Sequence, residues 1–94
     1  MKHDKYSLKT DANQAKIVEA LRKKGYSVTC THMVGGGFPD ITVGANHKNI
    51  LIEIKQLGKT LNEQERKWHV EWQGQVAIAY TPDEAIQIVE ALTK

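Results

Sequence analysis

Apolar residues along the chain follow two alternating rhythms. Over residues 11–24, Ile17, Val18 and Leu21 recur at helical spacing, which predicts an amphipathic helix. Asp11 is placed to cap it with Gln14 as reciprocal partner, and Gly25 ends it. By helical phase Gln14 shares the apolar face, whereas Glu19 points away. The period then drops to two. Over residues 26–33, Val28 and Cys30 alternate with Ser27, Thr29 and Thr31, which predicts a strand with Cys30 as a small core residue. Residues 39–43 and 49–55 read as two more strands, joined by a turn over residues 44–48 into an antiparallel hairpin.

Helical spacing returns after Thr60, which with Glu63 forms a capping box. The apolar line of this second helix is Leu61, Trp68 and Trp72, with Gln64 on or beside it, and Gly74 closes it. "QVAIAY", residues 75–80, is a fourth strand. "TPDE" opens a third helix, with Thr81 as cap, Pro82 at its first position and Glu84 completing the box. Ile86, Val89 and Leu92 line one face of it. The predicted architecture is α/β: order α-β-β-β-α-β-α, a mixed sheet flanked by helices. Residues 1–94 form one domain, with the polar residues 1–10 as a loose N-terminal segment.

Charges interrupt this pattern in one place. Alternate residues of a strand share a face. Ile50, Ile52 and Ile54 therefore point one way, and Leu51, Glu53 and Lys55 the other. On the neighbouring strand Ile41 and Val43 oppose Asp40 and Thr42. If the hairpin pairs, Asp40, Glu53 and Lys55 fall close together on one face. Two converging carboxylates suit a hard divalent cation such as Mg²⁺ or Mn²⁺. A lysine beside them suits a metal-bound water or a phosphate.

Composition narrows the class without adding chemistry. The chain is 40% hydrophobic and 26% charged, which is globular rather than disordered. A net charge of +2 is compatible with nucleic acid but does not require it. Cys30 is the only cysteine, so no disulfide or cysteine-based zinc site forms within one chain. "MKHDKYSLKT" is polar, reading as neither signal peptide nor membrane span, and the expected location is cytoplasmic.

"FPDITVG" followed by "ILIEIK" resembles the PD-(D/E)XK nuclease signature, here Pro39-Asp40 and Glu53-Ile54-Lys55. The Gly-rich loop before Phe38 and the segment "KTLNEQERKWHVEWQGQVAIAY" resemble the VRR-NUC group of that superfamily. With "DANQ" ahead of the first helix, the chain is similar to stand-alone phage or prophage members, found in bacterial or phage-infected cells. The resemblance spans residues 11–92. It implies a restriction-endonuclease-like core and a Mg²⁺- or Mn²⁺-dependent endodeoxyribonuclease with no small-molecule cofactor. The implied substrate is branched or junction DNA, recognised by structure rather than sequence, and the implied assembly is a homodimer. The resemblance makes Asp40, Glu53 and the Ile54 carbonyl metal ligands, has Lys55 position the attacking water, and turns Gln64 toward the site. The family often carries a glutamate on the first helix. Here the inward residue is the amide Gln14, which favours one metal over two.

Lys59, Arg66, Lys9 and the loop residues Gly36 and Gly37 are the expected DNA contacts, with Lys59 favoured for its place between the catalytic strand and the second helix. Glu65 and His69, four apart on a helix, read as a surface pair. Trp68 and Trp72 read as core or a dimer face. Two rival readings stand beside the nuclease. One is a non-catalytic nucleic-acid-binding module on the same fold; the other is an interaction domain using the two tryptophans.

Overall fold

The structure, a computed structural model, describes the backbone of residues 3–94 and the side chains of residues 12–94. Its elements are α1 (His3–Lys23), β1 (Ser27–Cys30), β2 (Ile41–Ala45), β3 (Lys48–Ile54), α2 (Glu63–Glu71), β4 (Val76–Ala79) and α3 (Pro82–Leu92). This is the expected α-β-β-β-α-β-α order. The strands form one mixed sheet in the order β1-β2-β3-β4. β1, β2 and β3 pair antiparallel, while β4 runs parallel to β3. A parallel neighbour needs a crossover rather than a tight turn, and α2 lies within it.

The β2–β3 connection is tighter than the sequence pattern suggested. Ala45 pairs with Lys48, leaving Asn46 and His47 as a two-residue turn with φ of 53° and 63°. Positive φ at both central positions matches the right-handed twist of the flanking strands, and asparagine tolerates it well. Asn46 Nδ2 also donates to the Thr93 carbonyl at 2.9 Å, tying the turn to the end of α3.

One face of the sheet carries the core. Ile41 and Val43 of β2, Ile50 and Ile52 of β3, and Ala79 of β4 are fully buried against Ile17 and Leu21 of α1 and Ala85 and Val89 of α3. Pairing of Ile41 with Ile52 and of Val43 with Ile50 puts these side chains on one surface. The opposite face bears Thr42, Leu51 and Glu53 and is approached by α2, which buries none of its own residues.

Several local expectations shift. α1 starts at His3, so Asp11 is an interior position rather than the N-cap, and residues 3–10 belong to the helix rather than to a loose segment. Nothing in "HDKYSLKT" breaks a helix. Cys30 is exposed, not core, because β1 is a short edge strand whose residues are exposed or half-buried. Ile86 is half-buried and Leu92 exposed, so Ala85 and Val89 anchor α3. The Thr81 hydroxyl caps α3 by accepting from Glu84 N–H at 3.1 Å, but the Glu84 carboxylate accepts from Tyr80 N–H rather than closing on Thr81.

Candidate active site

The register of β2 and β3 brings the acids together. Ile41 pairs with Ile52, so the next step of the antiparallel ladder sets Asp40 opposite Glu53 on the face away from the core. The two carboxyl groups are close enough to perturb each other's ionisation. Asp40 Oδ2 also accepts from Ile54 N–H at 2.8 Å, which fixes its rotamer. Glu53 is buried, with 3% of its surface exposed. Lys55 lies one alternation further along the same face, its Nζ 3.7 Å from Glu53 Oε2. Lys55 N–H still bonds the Ala79 carbonyl, so the lysine is anchored by the sheet just past the end of β3.

A fourth member comes from α2. Lys55 Nζ lies 2.8 Å from Glu65 Oε1, and both side chains are mostly buried. The expected cap at Thr60 is two residues early. Asn62 is the N-cap, its Oδ1 accepting from Glu65 N–H at 2.8 Å while Glu65 Oε1 accepts from Asn62 N–H at 2.9 Å. Two overlapping capping boxes were present, Thr60 with Glu63 and Asn62 with Glu65. Only the second supplies an acid that also meets Lys55. The reading of Glu65 as a surface residue is therefore corrected. The signal was there: Glu65 is three residues before Trp68 and seven before Trp72, on their stripe.

Gln64, expected to face the site, is exposed, since one step along a helix turns a side chain by about 100°. Gln14 is buried as expected, but it pairs with His32, its Nε2 3.2 Å from His32 Nδ1. Asn13, which no sequence signal marked, donates from Nδ2 to the Lys55 carbonyl at 3.2 Å and the Tyr80 carbonyl at 3.3 Å. It thereby holds α1 against the ends of β3 and β4. Of the expected DNA contacts, Lys59 is exposed, Arg66 is exposed and paired with Glu63, and the side chain of Lys9 lies outside the described residues.

The loop before Asp40 is packed against α2. Gly37 has φ +93°, and a Cβ there would come within 2.9 Å of the Gln64 carbonyl and 3.1 Å of Trp68 Cβ. Glycine is required on both counts. Gly36 is exposed. Phe38 meets Trp68 edge-on at 5.1 Å between ring centroids, and Trp68 stacks on Trp72 at 4.5 Å. The tryptophans thus build an aromatic cluster with the loop rather than joining the main core, and Trp72 remains 43% exposed.

Burial and like charge dominate the electrostatics. Glu53 is pushed up to about 9 by burial and by the charges of Asp40 and Glu65, against the pull of Lys55. Burial also raises Asp40, although the Ile54 N–H, the neighbouring Glu53 carboxyl and Lys55 oppose it. Burial alone would lower Lys55, but its bond to Glu65 and the surrounding carboxylates outweigh it, and the ammonium is held above its ordinary value. Glu65 is lowered: burial is outweighed by Lys55, Asn62 N–H and Glu53. His69, half-buried next to this group, is pulled down by burial, with Glu65 opposing and Lys55 reinforcing.

Neither protein-family models nor curated proteins nor solved structures give a significant match to the chain. Among the described residues, no group of three or more His, Cys, Asp or Glu side chains is arranged to hold a metal ion. Asp40 and Glu53 nevertheless fit a divalent cation as donors. They are neighbouring hard carboxylates, and together with Glu65 they bring more negative charge than Lys55 neutralises. Glu65 is already engaged by Lys55 and Asn62, which leaves two carboxylate donors.

Proposed function

We propose that the protein is a Mg²⁺- or Mn²⁺-dependent endodeoxyribonuclease of the VRR-NUC type, hydrolysing phosphodiester bonds in branched or junction DNA as a homodimer. One observation carries this reading. A buried carboxyl, Glu53, and a half-buried one, Asp40, are set side by side at the ends of adjacent strands, beside an ammonium, on a face of the sheet that the core does not use. Placing two acids there costs stability unless something positive joins them.

Asp40 and Glu53 would hold the cation, which when bound polarises a phosphoryl oxygen and acidifies water. Ile54 N–H keeps Asp40 oriented for that task. Its own carbonyl remains the proposed third ligand. Lys55 stays protonated, so its part is charge stabilisation and orientation of the nucleophile rather than proton abstraction. The exposed Lys59 and Gly36 are the proposed phosphate contacts. DNA affinity carried by such contacts falls steeply with salt.

The test is cleavage of flap, splayed-arm, four-way-junction and linear DNA in Mn²⁺, with Asp40→Asn and Lys55→Ala alongside. Loss of cutting with DNA binding retained is the expected pattern. A wild type that cuts nothing, or variants that cut equally well, would overturn the assignment. Salt-sensitive binding without cleavage would point instead to a binding module on the same fold.

A further inference from the structure

Lys55 has a long, flexible side chain, and such chains lose considerable rotamer freedom when fixed. Glu53 Oε2, at 3.7 Å, is a distant partner for it. Glu65 Oε1, at 2.8 Å, is a close one. That oxygen is itself held from a second direction by Asn62 N–H at 2.9 Å. The acceptor that meets Lys55 is therefore pinned by the backbone of α2 rather than swinging on a free side chain. The contrast with Arg66 and Glu63 on the same helix is direct. That pair is exposed at both ends and joins residues of one helical turn, a kind worth little. The Lys55–Glu65 pair is mostly buried and joins a strand end to a helix start.

We propose that Glu65 is a positioning residue for Lys55: it holds the ammonium beside the Asp40–Glu53 pair, its own carboxylate kept in place at the first turn of α2 by the Asn62 backbone N–H. The inference rests on the nuclease reading, in which Lys55 acts on the reacting phosphate. Glu65 itself does not touch the substrate. Its carboxylate sets where the ammonium sits before DNA arrives, so reorganisation is not left to the chemical step.

Glu65→Gln separates this role from capping. Glutamine closes a capping box as glutamate does, so the helix start is kept while the charge that fixes Lys55 is lost. Asn62→Ala does the reverse, weakening the cap while leaving the Glu65 charge. On a DNA that wild type cuts in Mn²⁺, Glu65→Gln should lower kcat by about ten- to hundredfold, the range for residues that orient a reacting group, with KM within about twofold. Asn62→Ala should lower the unfolding midpoint and leave kcat within a few-fold of wild type. A second readout needs no cleavage. The Lys55 ammonium protons, followed by NMR in the metal-free protein, should exchange slowly in wild type and in Asn62→Ala, and fast in Glu65→Gln.

Equal kcat in wild type and Glu65→Gln would overturn the proposal while leaving the nuclease reading intact. So would a rise in kcat, which would mean that Glu65 restrains the lysine. Parallel losses in Asn62→Ala and Glu65→Gln would reduce Glu65 to a helix cap. If wild type cuts no DNA, the nuclease reading falls and the positioning role in cleavage falls with it, whatever the exchange rates show.

Discussion

Glu53→Gln in the metal-free protein should stabilise the fold, and should do so more as pH rises. In the folded chain Glu53 is pushed up to about 9 from an ordinary 4.5. A raised acid binds an extra proton in the folded state at every pH between those values. Its contribution is therefore complete below about pH 4.5 and is lost as pH rises toward 9. Each pH unit inside that window costs about 1.4 kcal/mol, so wild type should lose about 3 kcal/mol between pH 5 and pH 7 from this group. That is a large share of the ~5–15 kcal/mol that holds a small domain together. Glutamine has the same shape, carries no charge and donates where the protonated carboxyl would, so its profile should lack this fall. His69 titrates with the opposite sign: its lowered value makes stability rise with pH. His69 is kept in both proteins, but Asp40, itself raised beside Glu53, also responds to the substitution, so the difference between them reads the Asp40–Glu53 pair. Urea unfolding at pH 5, 6 and 7 in chelator measures it directly. A wild-type profile as flat as the variant's, or a variant that falls as steeply as wild type, would refute the account of a buried, charge-crowded Glu53.

Adding Mn²⁺ should reverse the sign of this pH dependence, since the cation binds the ionised carboxylates; calorimetry in two buffers of different protonation enthalpy should show proton release on binding that Glu53→Gln abolishes. Asn13→Ala, which frees the carbonyls of Lys55 and Tyr80, should cost about 1–3 kcal/mol in urea unfolding. Gly37→Ala faces both a positive φ and a Cβ contact of 2.9 Å with the Gln64 carbonyl, so it should destabilise by about 1–3 kcal/mol in urea unfolding. Ile52→Ala, at a fully buried position, should cost about 2–5 kcal/mol. The exposed Cys30 thiol should react with a chromogenic disulfide in the native protein nearly as fast as in urea, which a core cysteine would not.

The frame was legible in the sequence because each element carried its own local instruction. Alternation in "ILIEIK", helical spacing of Ile17, Val18 and Leu21, and the cap at Thr81 all act over a few residues. The facing of Asp40, Glu53 and Lys55 followed from period-two geometry plus a hairpin. What escaped was long-range or rested on a choice between near-equal local signals. The start of α2 was such a choice, and it was decided by Lys55 and by the Phe38–Trp68 contact, neither adjacent in sequence. Asn13 reaches strand ends 42 and 67 residues away, and nothing around it marks that. Cys30 alternates correctly but lies on an edge strand, and alternation does not say how far the helices extend over the sheet.

The two-residue turn at Asn46 and His47 has a bearing on more than the hairpin it closes. Because side chains alternate strictly, the turn works as a ruler for the whole β2–β3 ladder. One extra residue there, taken up as a slip of the pairing, would face Asp40 with Ile52 or Ile54 and strand Glu53 without its partner, far from the inserted site. The same slip would turn isoleucines out of the core. Fold and chemistry share one registration mark, so a chain that has lost its acid pair in this way has also lost the means to stay folded. Diversity in what the site does is thus confined to what stands around the ladder: Lys55, the first turn of α2 and the glycine loop, which can change while the ruler stays fixed.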